Sequence, residues 1–147
     1  MLGSLPGDAS LAARRYYAHP TNQFWRLLGS AIGEELQSLD YEARLRRLLD
    51  RRVGLWDVIA SARRPGSLDQ AIREAAHNRI EHLIHDFPAL RAIAFNGSTA
   101  AAAGRKLIGE AIEGVTLIDL PSSSAANTRP FAEKAAEWSV LGQFVEP

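Results

Sequence analysis

Asn22 stands inside the run YYAHPTNQFW, residues 16–25, where polar-tipped aromatics crowd around a single primary amide. An amide carbonyl is able to hold a water without ever ionising, and Tyr16, Tyr17 and Phe24 supply walls for an apolar slot beside it. The same residue also suits a helix start, because an Asn just ahead of the apolar stripe Phe24, Leu27, Leu28, Ala31 and Ile32 is a favoured N-terminal cap. Asp57 poses a second question. A carboxylate inside the apolar run 53–60 must be hydrogen-bonded, face solvent or meet a ligand, and capping a neighbouring loop is its plainer role. Ser122, Ser123 and Ser124 are neutral donors suited to phosphate oxygens, although LPSSSAANTR also reads simply as a loop leading into a helix.

Other chemistries find little support. The chain contains no cysteine, which removes disulfides, thiolates and Cys-based metal sites. His19, His77, His82 and His85 fall into no metal-ligand spacing, and the last two sit three apart among Arg and Glu, as on a solvated helix face. No Gly-x-Ser-x-Gly elbow occurs, and the Gly/Pro loop 3–7 (GSLPG) matches neither a Walker nor a dinucleotide fingerprint. An active site built here would work by positioning and electrostatics, without a covalent intermediate.

Elements must bring these residues together, and the hydrophobic pattern suggests which. The periodicity predicts helices over 23–32 and 40–52, the second with Tyr41, Leu45, Leu48 and Leu49 inward and Gly54 as its C-terminal cap. Ser67-Leu68-Asp69-Gln70 resembles a capping box opening a helix to about residue 76, and Asn78 starts another that Pro88 stops. Short apolar runs at 53–60, 91–95 and 115–120 read as buried strands, with helices over 99–108 and from Pro130 to about 144. Strands alternating with helices imply a parallel sheet covered on both faces, whose ligands bind at the carboxyl ends of the strands. Gly3 to Gly7, Asp57, Asn96-Gly97-Ser98 and Pro121-Ser122-Ser123-Ser124 should therefore open on one edge.

At 147 residues the chain has the size of one domain, and 46% hydrophobic content suffices for a core. No stretch is long and apolar enough for a membrane span, no signal-peptide layout opens the chain, and the cytoplasm is the expected compartment. Net charge is zero, yet residues 1–73 hold 11 Arg against 8 acids and residues 74–147 hold 6 Lys+Arg against 9 acids. Arginine dominates the positive charge and is well suited to phosphate contact, but base composition yields the same bias.

Four stretches in order, GSLPGDASL…YYAHPTNQFW, GLWDVIASARRPGSLDQAI, IAFNGSTA and LPSSSAAN, resemble the hypoxanthine-DNA glycosylases, a branch of the uracil-DNA glycosylase superfamily close to the mismatch-specific uracil/thymine enzymes. The likeness spans residues 2 to about 138. It implies a three-layer α/β/α sandwich with a short, mainly parallel sheet, and a cofactor-free, metal-free monofunctional enzyme, expected as a monomer, that flips a deaminated base from DNA and hydrolyses its N-glycosidic bond. It also implies roles: Asn22 is the residue that orients the attacking water, and Gly3, Ser4, Leu5, Pro6 and Gly7 form the first motif. With Tyr17, His19, Phe24, Asp57 and Asn96 they line the base pocket. Ser122, Ser123, Ser124, Ala125, Asn127 and Arg129 meet DNA. In many relatives the first motif itself carries the catalytic Asn or Asp; Ser4-Leu5 stand there, leaving the task to Asn22. Uracil or mispaired thymine as the excised base, or binding without turnover, are the competing expectations.

Relative to that family the single domain, 1–147, is expected to be N-terminally truncated, with most of the first, central strand lying upstream of Leu2. Roughly four missing buried aliphatics at ~1.5–3 kcal/mol each would cost about 6–12 kcal/mol, so this form is expected to be marginally stable and to gain strongly from about ten upstream residues.

Overall fold

The computed structural model describes residues 2–3, 21–57, 87–108 and 113–145. Four strands, β1 (Leu2–Gly3), β2 (Trp56–Asp57), β3 (Ala92–Asn96) and β4 (Thr116–Leu120), form one parallel sheet in the order β2-β1-β3-β4. The helices among the described residues are α1 (Phe24–Ile32), α2 (Tyr41–Asp50), α3 (Ser98–Ile108) and α4 (Phe131–Trp138), the last running into a 3-10 turn over Ser139–Gln143. The helices expected over 67–76 and 78–87 fall outside the described residues, apart from Phe87, which is exposed.

Register makes the predicted edge concrete. Leu2 pairs with Trp56 and with Phe95, and Phe95 pairs with Asp119, so those four residues share one row. The next step along each strand is Gly3, Asp57, Asn96 and Leu120, where all four strands end. Residues 2–3 occupy the sheet's central position, as expected for the strand preceding GSLPG.

Strand alternation sorts the core into two faces. Ile93 and Phe95 point to α3, packing with Ala100, Ala101 and Leu117, while Ala94 and Leu120 face the other layer with Phe24, Leu27, Leu28, Leu48 and Trp138. Helices on both faces of a parallel sheet make a three-layer α/β/α sandwich. The faces differ in grain. Phe24 meets Trp25 and Trp138 edge to ring at 5.0 and 5.8 Å, whereas α3 presents alanines and Gly104. A Cβ at Gly104 would lie 2.2 Å from the Phe95 ring, so the glycine lets α3 close onto the sheet.

Local details depart from the sequence pattern. Asp40 caps α2 by accepting from the Ala43 N–H at 2.8 Å, as its type predicts. Gly54 does not end that helix: α2 stops at Asp50, Arg51 is its cap, and Arg52 takes the left-handed conformation at φ 58°. Leu49, expected inward, is 76% exposed. Leu48, 2% exposed, is the buried residue of this helix and packs with the α1 and α4 layer. Arg44 donates to the Leu36 and Gln37 carbonyls at 2.8 and 2.7 Å. The strand predicted over 53–60 is paired only at Trp56–Asp57 among the described residues.

Candidate active site

Strand alternation turns Asn96, two places beyond Ala94, toward the α1 and α4 layer at the carboxyl edge of the sheet. The chain then reverses at Gly97, whose φ of 97° disfavours any side chain and whose Cβ position lies 3.1 Å from Ser122 Cβ. That close approach lets the loop after β4 pass over the end of β3. Gly97 N–H also donates to the Leu120 carbonyl at 2.9 Å, tying the two strand ends together.

Ser123 joins the two asparagines across this edge. Its N–H donates to Asn96 Oδ1 at 2.9 Å, Asn96 Nδ2 donates to Ser123 Oγ at 2.9 Å, and Ser123 Oγ donates to Asn22 Oδ1 at 2.8 Å. Asn22 Oδ1 also accepts from the Phe24 N–H at 2.9 Å, and the Ser123 carbonyl accepts from the Gln23 N–H at 2.9 Å. The two readings of Asn22 thus coexist: its oxygen receives the first N–H of α1 while its side chain joins the sheet edge. Both lone pairs of that oxygen are taken. The carbonyl is therefore not the group left to hold a water, as the sequence suggests; the amide nitrogen is. Among the described residues none accepts from Asn22 Nδ2, which leaves this N–H pair as the donor end of the amide.

The loop over residues 121–127 is held elsewhere too. Trp138, wholly buried, donates its indole N–H to the Pro121 carbonyl at 2.9 Å. Lys134 is 1% exposed, and its ammonium donates to Gln23 Oε1, the Ser124 carbonyl and the Asn127 carbonyl at 3.1, 3.3 and 2.8 Å. Burial, and secondarily the charge on Arg129, pushes its pKa below the ordinary lysine value. Sequence reasoning passes over Lys134, yet the residue carries a signal: it lies between Phe131 and Trp138 on the apolar stripe of its helix.

Several expected site residues change character. Phe24 is wholly buried in the core, so its ring does not wall an open slot. Asn96 spends an end of its amide on each of two bonds to Ser123 and serves the loop more directly than a base. Ser123, 1% exposed, has no hydroxyl free for a phosphate. Ser122 and Ser124 remain half-buried, their oxygens accepting from Ser124 and Ala126 N–H, with hydroxyl protons left to donate. Ala125 is exposed, and Asn127 Oδ1 accepts from the Arg129 N–H at 3.1 Å. Arg129 pairs with Glu137 at 3.0 Å and Glu133 at 3.6 Å, which hold its guanidinium firmly charged. With Arg105, itself paired to Asp119 at 2.9 Å, it borders an open cleft of about 820 Å³ between α3 and the loop. Asp57 ends β2 beside Gly3, as expected, but its side chain lies outside the described residues. So do Ser4, Leu5, Pro6, Gly7, Tyr16, Tyr17 and His19.

In a parallel α/β/α sandwich ligands bind at the carboxyl ends of the strands, and at that edge this chain presents a neutral amide, hydroxyls and a loop clamped over the strand ends. The uracil DNA glycosylase superfamily model matches residues 1–142, and the chain belongs to that superfamily. It is 43% identical over 141 residues to a hypoxanthine DNA glycosylase of Methanosarcina acetivorans, covering 96% of this chain and 87% of that protein. A protein of the same name from Methanosarcina barkeri is 40% identical over 139 residues, covering 95% and 86%. A solution NMR structure from Methanosarcina acetivorans, provisionally assigned as a uracil DNA glycosylase, superposes with a TM-score of 0.75 at 39% identity, covering 97% of this chain and 89% of that one.

Proposed function

We propose that this chain excises hypoxanthine from deoxyinosine in DNA, leaving an abasic site, with Asn22 as the catalytic residue. The observation that carries the base assignment is the 43% and 40% identity, over nearly the whole chain, to two proteins named hypoxanthine DNA glycosylase. The glycosidic bond of a stacked base is out of reach, so the nucleotide must leave the helix first. Departure of the base then generates an oxocarbenium-like sugar that a weak nucleophile captures. A neutral amide is adequate for such a step: it fixes a water without deprotonating it. Hydrogen bonds to the departing base stabilise the charge that develops there. Ser122 and Ser124 contact phosphates, the exposed Ala125 faces the space the nucleotide vacates, and the protein acts as a monomer without cofactor.

Duplexes carrying inosine, uracil or a G:T mismatch, incubated with the protein in the presence of a chelator and then treated with alkali, test this directly. Strand cleavage at inosine is the expected result. Efficient cleavage at uracil with none at inosine would replace hypoxanthine by uracil, the reading favoured by the superfamily's name and the NMR relative. Binding without cleavage of any substrate would leave a nucleic-acid-binding domain.

A further inference from the structure

The donors and acceptors around Ser123 can be assigned without ambiguity. Phe24 N–H can only donate, so the Asn22 atom facing it is the oxygen. That oxygen can only accept, so the bond from Ser123 spends the single hydroxyl proton of Ser123. Ser123 N–H in turn fixes the Asn96 oxygen, and the Asn96 atom facing Ser123 Oγ is then nitrogen, which can only donate. The bonds therefore run one way, from Asn96 through Ser123 to Asn22. Turning the Asn22 amide over would set its NH2 against Phe24 N–H and against a hydroxyl that already receives a donor. The relay is dry, with Ser123 1% and Asn96 9% exposed, and its far end stands on the last residue of a paired strand.

We propose that Ser123 is a positioning residue that locks the Asn22 amide with its nitrogen toward the site, so that Asn22 serves the reaction as a hydrogen-bond donor. This rests on the reading of Asn22 as the catalytic residue. It differs from the water-holding carbonyl that the residue type first suggests, and the difference is testable. Asn22→Asp keeps an oxygen for Phe24 N–H and Ser123 Oγ, and its negative charge suits the N-terminus of α1. What it lacks is the donor.

Single-turnover cleavage, DNA affinity and melting temperature are compared for the parent protein, Asn22→Asp, Asn22→Ala, Ser123→Ala and the Ser123→Ala/Asn22→Ala double variant. Asn22→Asp is expected to melt at or above the parent temperature yet lose about 100-fold or more in rate. Ser123→Ala should lose about tenfold in rate with affinity for an abasic-analogue duplex within about threefold, and should cost nothing further when Asn22 is already alanine. An Asn22→Asp rate within about threefold of the parent overturns the donor role. Full additivity of the two alanines shows that Ser123 does not act through Asn22 and overturns the relay. If the parent cleaves no substrate, the catalytic reading fails separately, and the lock is judged from NMR. Ser123→Ala must then shift the Asn22 side-chain 15N–H2 resonances, and unshifted resonances overturn it too.

Discussion

Two of the anchors that hold the loop over residues 121–127 work by opposite means. At Ser123 the partners are two asparagine side chains, neutral, each with a donor end and an acceptor end. A few residues on, the partner is the single ammonium of Lys134, spread over three oxygens. Amides and hydroxyls joined in series transmit direction, because each group's ends are distinct and one assignment forces the next. An ammonium has three equivalent protons and rotates freely, so it fixes where the loop lies but not which way any group points. The anchor that points a functional group is neutral and directional; the anchor that gathers two loop carbonyls and the Gln23 side chain is charged.

The largest test of this contrast is Asn22→Ala, which removes the group the neutral anchor orients. Single-turnover cleavage should fall by about 10²–10³, with DNA affinity within about threefold. A parent-like rate would leave the directional anchor with nothing to direct. Lys134→Met tests the other anchor. It keeps the buried stem but strips a donor from two backbone carbonyls and Gln23, costing about 2–3 kcal/mol. For a domain of this size that lowers Tm by about 5–10 °C. Affinity for DNA should suffer with the loop, while the rate on saturated enzyme stays near the parent's. A rate loss as deep as that of Asn22→Ala would erase the distinction between the anchors.

A subtler comparison lies within the three consecutive serines. Ser122 and Ser124 keep hydroxyl protons at a half-exposed surface, whereas Ser123 has committed its proton to Asn22. Ser122→Ala and Ser124→Ala together should weaken binding by roughly three- to tenfold alike for every base, as loss of phosphate contacts does. Ser123→Ala should instead spare binding and slow the reaction. Fluorescence anisotropy with inosine-containing and undamaged duplexes separates the two outcomes, and a swap of the two phenotypes would place the phosphate contact on the wrong serines.

Strand ends, helix faces and the edge on which they converge were legible because they follow from local periodicity: Ile93 and Phe95 alternate with Ala94, and Phe24, Leu27, Leu28 and Ile32 recur on one face of α1. The site was legible as a neighbourhood, since Asn22, Asn96 and Ser123 come from segments whose types already suggested polar work. Their mutual bonds were not, because they join positions 27 and 101 residues apart, and no local pattern encodes which of three serines turns inward. Phe24 was misplaced for a related reason. An aromatic beside Asn22 suits a slot wall and a helix core equally, and only the neighbouring helix, through Trp138, decides. Lys134 escaped because its place on the apolar stripe of α4 hints at burial but does not tell which carbonyls, on Gln23, Ser124 and Asn127, receive its ammonium.

The smallest expected effect concerns the charge of the second anchor. Burial and the nearby Arg129 lower the Lys134 pKa in the folded protein from the ordinary 10.5. The folded state therefore releases this proton at a lower pH than the unfolded chain, and between the two values the unfolded chain binds more protons. Stability contributed by this group must then rise with pH across that window, approaching its full value above 10.5 and declining as pH falls back through the folded pKa. Alkaline titration of other groups pulls the opposite way, so the quantity to measure is the stability of the parent minus that of Lys134→Met, by urea unfolding from pH 8 upward. The parent's advantage over the methionine variant should grow as pH climbs, since the amine keeps its reach to the loop and sheds the cost of a buried charge. An advantage that shrinks with rising pH would mean that the ammonium's three carbonyl bonds outweigh its desolvation, and the charged anchor would then be favourable through its charge as well as through its reach.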